Sequence, residues 1–308
     1  MNMDPKIKNV VSGALVIDKP VGLTSHDIVK IVRRGTGLRR AGHTGTLDPR
    51  ASGVLVLLIG PAVRLSEYIS ADDKRYQATI KLGESTDTYD TEGKITRTRP
   101  FEHIKKEHLE RLLEGYEGKT LQTPPNYSAV KVQGKPAYQR ARSGEDFELN
   151  AREIDVYSLE LLEWAPPEIV LDVYCSSGTY VRSLANDIGE DLNTGAHLVD
   201  LRRTKSGDFT LRQAVRLREL QNAFISGEWY RSLIPAAELL PDWPKRILTP
   251  EEVQKVAFGH RIPAEPNPET VTDEKLSRAI SQQGDLVALV QYVEESQEWQ
   301  PKKVFFQT

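Results

Sequence analysis

Residues 40–53, Arg-Ala-Gly-His-Thr-Gly-Thr-Leu-Asp-Pro-Arg-Ala-Ser-Gly, restrict this chain more than any other stretch. Glycines at 42, 45 and 53 leave the backbone free to turn or to lie close against a ligand. Proline fixes its own φ and pushes the preceding residue out of the helical region, so Pro49 holds Asp48 on a stiff, non-helical loop. The apolar run 54–59 follows at once and reads as a buried strand. A rigid strand therefore anchors a polar, glycine-lined loop carrying one acid. An isolated Asp-Pro is an ordinary turn; this one is flanked by histidine, threonines and glycines.

The neighbouring segments supply a scaffold. Residues 13–18 read as a short strand. Ser25 can cap a helix running to about Arg34, ended by Gly35-Thr36-Gly37. Lys30, Arg33, Arg34, Arg39 and Arg40 gather positive charge just ahead of the acid loop, either as a solvated face or as a phosphate-binding surface. A short helix is expected over 62–69, a strand over 76–82 and an amphipathic helix over 105–113. Three acids and a glycine in 87–93 invite a calcium-loop reading, but the ligand spacing is wrong and a turn with solvated acids fits better.

Residues 123–144 break regular structure at Pro124-Pro125. They then read as a strand over 127–132, a turn at Gln133-Gly134 and a helix start over 136–142. Lys131, Lys135, Arg140 and Arg142 lie in a stretch without an acid, interleaved with Tyr127 and Tyr138. Such a segment is either a solvated hairpin or a surface for looped RNA, where bases stack and phosphates need cations. A strand pair over 154–162 and 169–175 leads to a Ser-Gly turn and a helix from about Thr179 to Leu192. Arg182 then falls in the first turn, where the helix dipole disfavours a cation. An opposing carboxylate removes the conflict, and Asp48 is the expected partner. Residues 198–203 read as a further strand.

The prolines at 235, 241 and 244 suggest a hinge. They divide the chain into residues 1–243, with an inserted segment about 123–152, and a small tail, 244–308. The tail has a capped helix over 249–257 and strand candidates over 286–292 and 304–307. Its eight basic and ten acidic side chains do not make a basic patch. The first dozen residues read as a loose tail.

Composition excludes several classes. The single cysteine, Cys175, allows no internal disulfide or cysteine metal cluster and reads as a core thiol. The six histidines show no close metal pair. No apolar stretch approaches ~18 residues, and the polar N-terminus is not a secretory signal, so a cytoplasmic protein is expected. There is no Gly-x-Ser-x-Gly elbow, no Walker loop and no full dinucleotide fingerprint.

Four motifs occur in order: Asp18-Lys19-Pro20-Val21-Gly22, Gly42-His43-Thr44-Gly45-Thr46-Leu47-Asp48-Pro49, Asp73-Lys74-Arg75-Tyr76 and Gly178-Thr179-Tyr180-Val181-Arg182. Together they resemble the TruB family of tRNA pseudouridine synthases over most of residues 13–203. The resemblance implies an α+β catalytic domain on a mixed, mostly antiparallel sheet, followed by a small β-rich, PUA-like tail. It also implies isomerisation of uridine to pseudouridine at position 55 in the T-loop of tRNA, by a monomer.

That reaction breaks an N-glycosidic bond, turns the base and rejoins it through C5. No redox step occurs and no group is added, so no cofactor and no metal are expected. The site needs an ionised carboxylate, Asp48, in a pocket without bulk water. Desolvation alone opposes ionisation, and a bidentate arginine, Arg182, offsets it and fixes the direction. Tyr76 offers a flat face for uracil and a hydroxyl that can handle a proton. The nucleotide must leave its stack, and by the resemblance His43 fills the gap. By the same resemblance Lys19 and Pro20 shape the pocket wall, Leu201 its floor, and Asp90 and Tyr180 lie near the substrate. The insertion with Lys131 and Arg140 clamps the tRNA. Attack at C1′, attack at C6 and removal of the 2′ proton all remain open to the carboxylate. A non-catalytic RNA-binding or RNA-folding protein would share the basic stretches without needing Asp48.

Overall fold

The computed structural model describes residues 11–70, 73–128 and 130–305. Ten of the twelve residues expected as a loose N-terminal tail, and the last three of the chain, lie outside these. An eleven-stranded mixed sheet forms the body. Its principal strands are β1 (Gly13–Lys19), β2 (Ala41–His43), β3 (Ser52–Ile59), β4 (Lys74–Leu82), β5 (Gly118–Gln122), β6 (Arg152–Ala165), β7 (Glu168–Cys175) and β8 (Ala196–Ser206). The main path runs β1-β3-β8-β4-β7-β6-β5, with the short strand Val215–Arg216 beside β1. Every step of β1 to β5 along it is antiparallel except β3 to β8, which are parallel. The expected mixed, mostly antiparallel α+β architecture is present.

Local chemistry explains the strands. All eight residues of β3 are buried, because one face joins the core beneath the helices and the other joins a second apolar cluster with Leu65, Ile69, Leu239 and residues of the small C-terminal sheet. In β4 the alternation buries Tyr76, Ala78, Ile80 and Leu82 and turns Arg75 and Gln77 outward. Helix α1 (Ser25–Thr36) lays Ile28, Val29 and Val32 on the core, and α2 (Val181–Asp191) adds Val181, Leu184, Ala185 and Ile188. The cap of α1 lies one residue earlier than expected. Thr24 accepts from the Asp27 amide and Asp27 reaches back in a capping box, while Gly37 closes the helix in the left-handed region.

The 123–144 segment is less regular than expected. Among the described residues only Lys131–Val132 of the predicted strand pairs, with Lys135–Pro136, before the six-residue helix Ala137–Arg142. In the tail, the capped helix is present as Pro250–Ala257 and the strands include Leu286–Val293 and Glu298–Val304. The last of these ends where the expected strand 304–307 would begin; of that strand, residues 306 and 307 lie outside the described residues.

The expected hinge at 235–244 is instead pinned. Pro235 pairs with Gly13 of β1. The buried Arg278 donates to the carbonyls of Ala237, Pro241 and Trp243. Ala14, Val16, Val54, Val56 and Leu58 share one apolar cluster with Ile280, Leu286, Leu289 and Phe305 of the small sheet. These contacts tie the segment to β1 and to the small sheet.

Candidate active site

The parallel step between β3 and β8 creates the site. Its register sets Arg202 beside Ser52 and Arg203 beside Gly53, where the acid loop enters β3. Gly53 has φ of +100°, and a Cβ there would lie 2.1 Å from the Arg203 carbonyl oxygen, so only glycine lets the two strands approach. Gly42 and Gly45 carry no such constraint. Their value to the fold is smaller than the sequence suggested.

The loop is tied at each residue from 45 to 49. Arg203 donates to the Gly45 and Thr46 carbonyls. The Ser25 hydroxyl both accepts from the Leu47 amide (2.8 Å) and donates to the Leu47 carbonyl (2.9 Å). The Asp48 carbonyl accepts from the Ala51 amide (3.1 Å), and the Pro49 carbonyl accepts from the Gly22 amide (2.8 Å) and the Lys19 ammonium (3.3 Å). Ser25, expected as the helix cap, thus serves the loop. The Leu47 side chain is buried beneath it. The loop is a preorganised platform with the Asp48 side chain on top.

Asp48 meets Arg182 as expected: Nη2 lies 3.0 Å from Oδ2. The arginine side chain is 8% exposed and the aspartate side chain 46% exposed. The carboxylate is therefore not sequestered from water by the protein alone, which corrects the expectation of a closed pocket. Arg182 also contacts the Asp90 carboxylate (3.3 Å) and donates to the carbonyls of Tyr127 (3.1 Å) and Thr88 (3.5 Å). Tyr89, at φ of 63°, turns the chain so that Thr88 and Asp90 both face the guanidinium, and its carbonyl is held by the Leu198 amide. A non-glycine residue in that region is strained unless its surroundings hold it there. Arg182 therefore has little rotational freedom, and it transmits that order to Asp48.

The other predicted residues fall as follows. Tyr76 is buried on β4, and burial pushes its phenol pKa up, with Arg203 acting in the opposite sense. Tyr180 precedes α2. Its amide and carbonyl are both bonded to the Gln122 side chain, at 2.8 and 3.1 Å. Burial raises its phenol pKa as well. His43 ends β2; burial chiefly, then Arg203 and His26, lower its pKa, so the ring is neutral near pH 7. Leu201 on β8 packs at the edge of the main core. Pro20 is exposed at the rim.

Lys19 is fully buried, with its ammonium bonded to the Pro20, Leu23 and Pro49 carbonyls. Burial lowers its pKa to about 8, opposed by the attraction of Asp48. In the inserted segment Lys131 is exposed. Arg140 is engaged with Glu145 (3.0 Å) and Gln133 (3.3 Å), so it is less available to a phosphate than expected.

Sequence reasoning missed Arg203 and Gln122. Nothing local marks Gln122. Arg203 sits in an Arg-Arg-Thr-Lys run that reads as surface charge, and only the pairing of distant strands buries it.

Comparisons with known proteins agree with this architecture. The N-terminal domain model of the TruB family pseudouridylate synthases matches residues 33–181. The tRNA pseudouridylate synthase B C-terminal domain model matches residues 182–240. A tRNA pseudouridine synthase B from Thermobifida fusca is 45% identical over 82% of this chain and 87% of its own length. One from Paenarthrobacter aurescens is 42% identical over 91% of each. A solved H/ACA ribonucleoprotein bound to a substrate RNA containing 2′-deoxyuridine superposes with a TM-score of 0.74 at 24% identity, covering 99% of this chain and 88% of the matched one. Among the described residues no helix is long and apolar enough to cross a membrane. The identities, their coverage and the shared fold lead to one conclusion: this chain belongs to the TruB family of pseudouridylate synthases, isomerases that convert uridine to pseudouridine.

Proposed function

We propose that the chain isomerises the uridine at position 55 in the T-loop of tRNA, as a cytoplasmic monomer, with Asp48 as the group that acts on the nucleotide. The curated relatives are named for tRNA as substrate, which supports that class of RNA. The observation that carries the aspartate reading is the acid loop itself. Its backbone is tied residue by residue, yet its one carboxylate is open to solvent and aimed by a buried arginine.

A nucleotide flipped out of its loop would cover Asp48 and exclude the water that now reaches it. The Asp48–Arg182 interaction then strengthens as the local dielectric falls. Arg182 aims the carboxylate for attack on the nucleotide or for accepting a proton from it. Tyr76, kept neutral by burial, presents its ring to the uracil and can exchange a proton only as a phenol. A neutral His43 can occupy the space left by the base without burying a charge. Lys131, Lys135 and Arg142 meet phosphates of the arm, and the prolines and short hairpin present them on one segment. All atoms of the product are already in the substrate, so the rearrangement needs position and charge rather than an added group.

Incubation of the protein with an unmodified tRNA transcript, followed by nucleoside mapping, tests the reading. Pseudouridine at position 55 alone is the expected result. Pseudouridine confined to another position, or none with correctly folded protein and RNA, would overturn it.

A further inference from the structure

Two buried cations near Asp48 make no ion pair. Lys19 and Arg203 are 0% and 2% exposed, and among the described residues neither has a carboxylate within 4 Å. Both are satisfied by backbone carbonyls. For Lys19 the three carbonyls lie on the turn after β1 and on the acid loop. For Arg203 they are Val54 (2.7 Å), Thr46 (3.4 Å) and Gly45 (3.1 Å).

Arg203 is the more informative of the two. Its Cα lies opposite Tyr76 of β4 on one side and beside Gly53 of β3 on the other. Its guanidinium therefore stands between the tyrosine and the acid loop. Its charge acts on Tyr76, His43 and Lys19 together.

We propose that Arg203 is the positioning residue of the reaction: one buried, planar cation that sets the distance between the Tyr76 ring and the Asp48 loop. A planar fork can satisfy carbonyls on β3 and on the loop at once, and a point-like ammonium cannot. A neutral side chain of the same reach would leave several carbonyls without donors and would remove the positive charge that acts on Tyr76, His43 and Lys19. Gly53 is the complement of this device, because any side chain there would push the Arg203 backbone away. The inference rests on the reading of Asp48 and Tyr76 as the groups that meet the nucleotide.

The test compares the parent, Arg203→Lys, Arg203→Met and Asp48→Asn, all as full chains. Single-turnover rate at saturating unmodified tRNA transcript, tRNA Kd and thermal unfolding are measured for each. Arg203→Lys keeps the charge but cannot reach Val54, Thr46 and Gly45 together. It should fold, bind tRNA about as the parent does, and react about 100-fold more slowly, the scale of a misplaced reacting group. Arg203→Met should be slower still wherever it folds.

An Arg203→Lys rate within about threefold of the parent would overturn the proposal, as would a loss confined to Kd. Failure of Arg203→Lys to fold would also overturn it, by assigning Arg203 to the core. An active Asp48→Asn variant would instead overturn the underlying reading of the site. The two failures are thus separate outcomes.

Discussion

The acid loop and the inserted basic segment treat their backbones in opposite ways. From Gly45 to Pro49 every residue of the loop has a backbone partner, drawn from β1 and the turn after it, from α1, from β8 and, for Asp48, from Ala51 of the loop itself, while the Asp48 carboxylate pairs with Arg182 and stays half-exposed. The segment around 123–144 has two-residue strands and a six-residue helix whose only buried side chain is Ala137. Its exposed cations are Lys131, Lys135 and Arg142, while Arg140 is held by Glu145 and Gln133. Chemistry at one bond needs a group placed within a fraction of an ångström. Grip on a charged backbone needs cations in number, and tolerates adjustable ones. One molecule therefore holds a rigid platform and a lightly built arm side by side.

The comparison can be broken by substitution. Arg182→Ala removes the partner of both Asp48 and Asp90 and leaves two carboxylates without their shared cation. Turnover at saturating tRNA should fall about 10²–10³-fold, by analogy with loss of one electrostatic stabiliser, with tRNA affinity little changed. The guanidinium meets Asp48 through one nitrogen and Asp90 through the other instead of gripping Asp48 at two points as expected, so Arg182→Lys, whose ammonium lacks that planar fork, should recover only part of this. A variant that loses tRNA binding but keeps turnover at saturation would place Arg182 in the arm's class instead.

Neutralising Lys131, Lys135, Arg140 and Arg142 together should produce the opposite split. Binding weakens, turnover at saturation persists, and the slope of log affinity against log salt falls by about one per lost phosphate contact. Arg140 should contribute least, because Glu145 and Gln133 already occupy it. Equal binding and an unchanged slope in the quadruple variant would remove the segment from the RNA surface.

A smaller effect concerns Lys19. Its folded pKa of about 8 lies below the usual 10.5. Between those values the unfolded chain carries the extra proton, so this residue makes stability rise with pH across that window. Below pH 8 both states are protonated and the burial cost is fully present. Lys19→Met should flatten the rise in urea-unfolding titrations between pH 8 and 10.5; an unaltered slope would contradict the burial argument. Smallest is Thr24→Ala. It breaks the capping box of α1 and should cost about 1 kcal/mol in stability, read as a lower denaturation midpoint with turnover at saturation preserved.

Much of the scaffold was legible because its signals are local. The run Val54–Ile59 and the alternation of Tyr76–Leu82 report burial directly, and the pair Asp48–Arg182 followed from two unfavourable charges that needed each other. Long-range terms were not legible. Thr24 displaced Ser25 as cap because Ser25 is needed at Leu47, twenty-two residues on. Arg203 was not singled out because its burial depends on β8 lying parallel to β3. The prolines at 235–244 suggested freedom, but Arg278, far along the chain, fastens them. Asp48 is more open than expected because the exposure of a loop side chain depends on how distant strands frame it, which no local signal reports.

The central claim is that Asp48 carries the reaction and the arm carries the grip. Asp48→Asn keeps size and polarity and removes the charge. Its single-turnover conversion of unmodified tRNA, measured beside its tRNA Kd, tests the claim most directly. The account predicts near-complete loss of pseudouridine formation with Kd close to that of the parent. Substantial conversion by the asparagine variant, or loss explained by failure to bind tRNA, would contradict it.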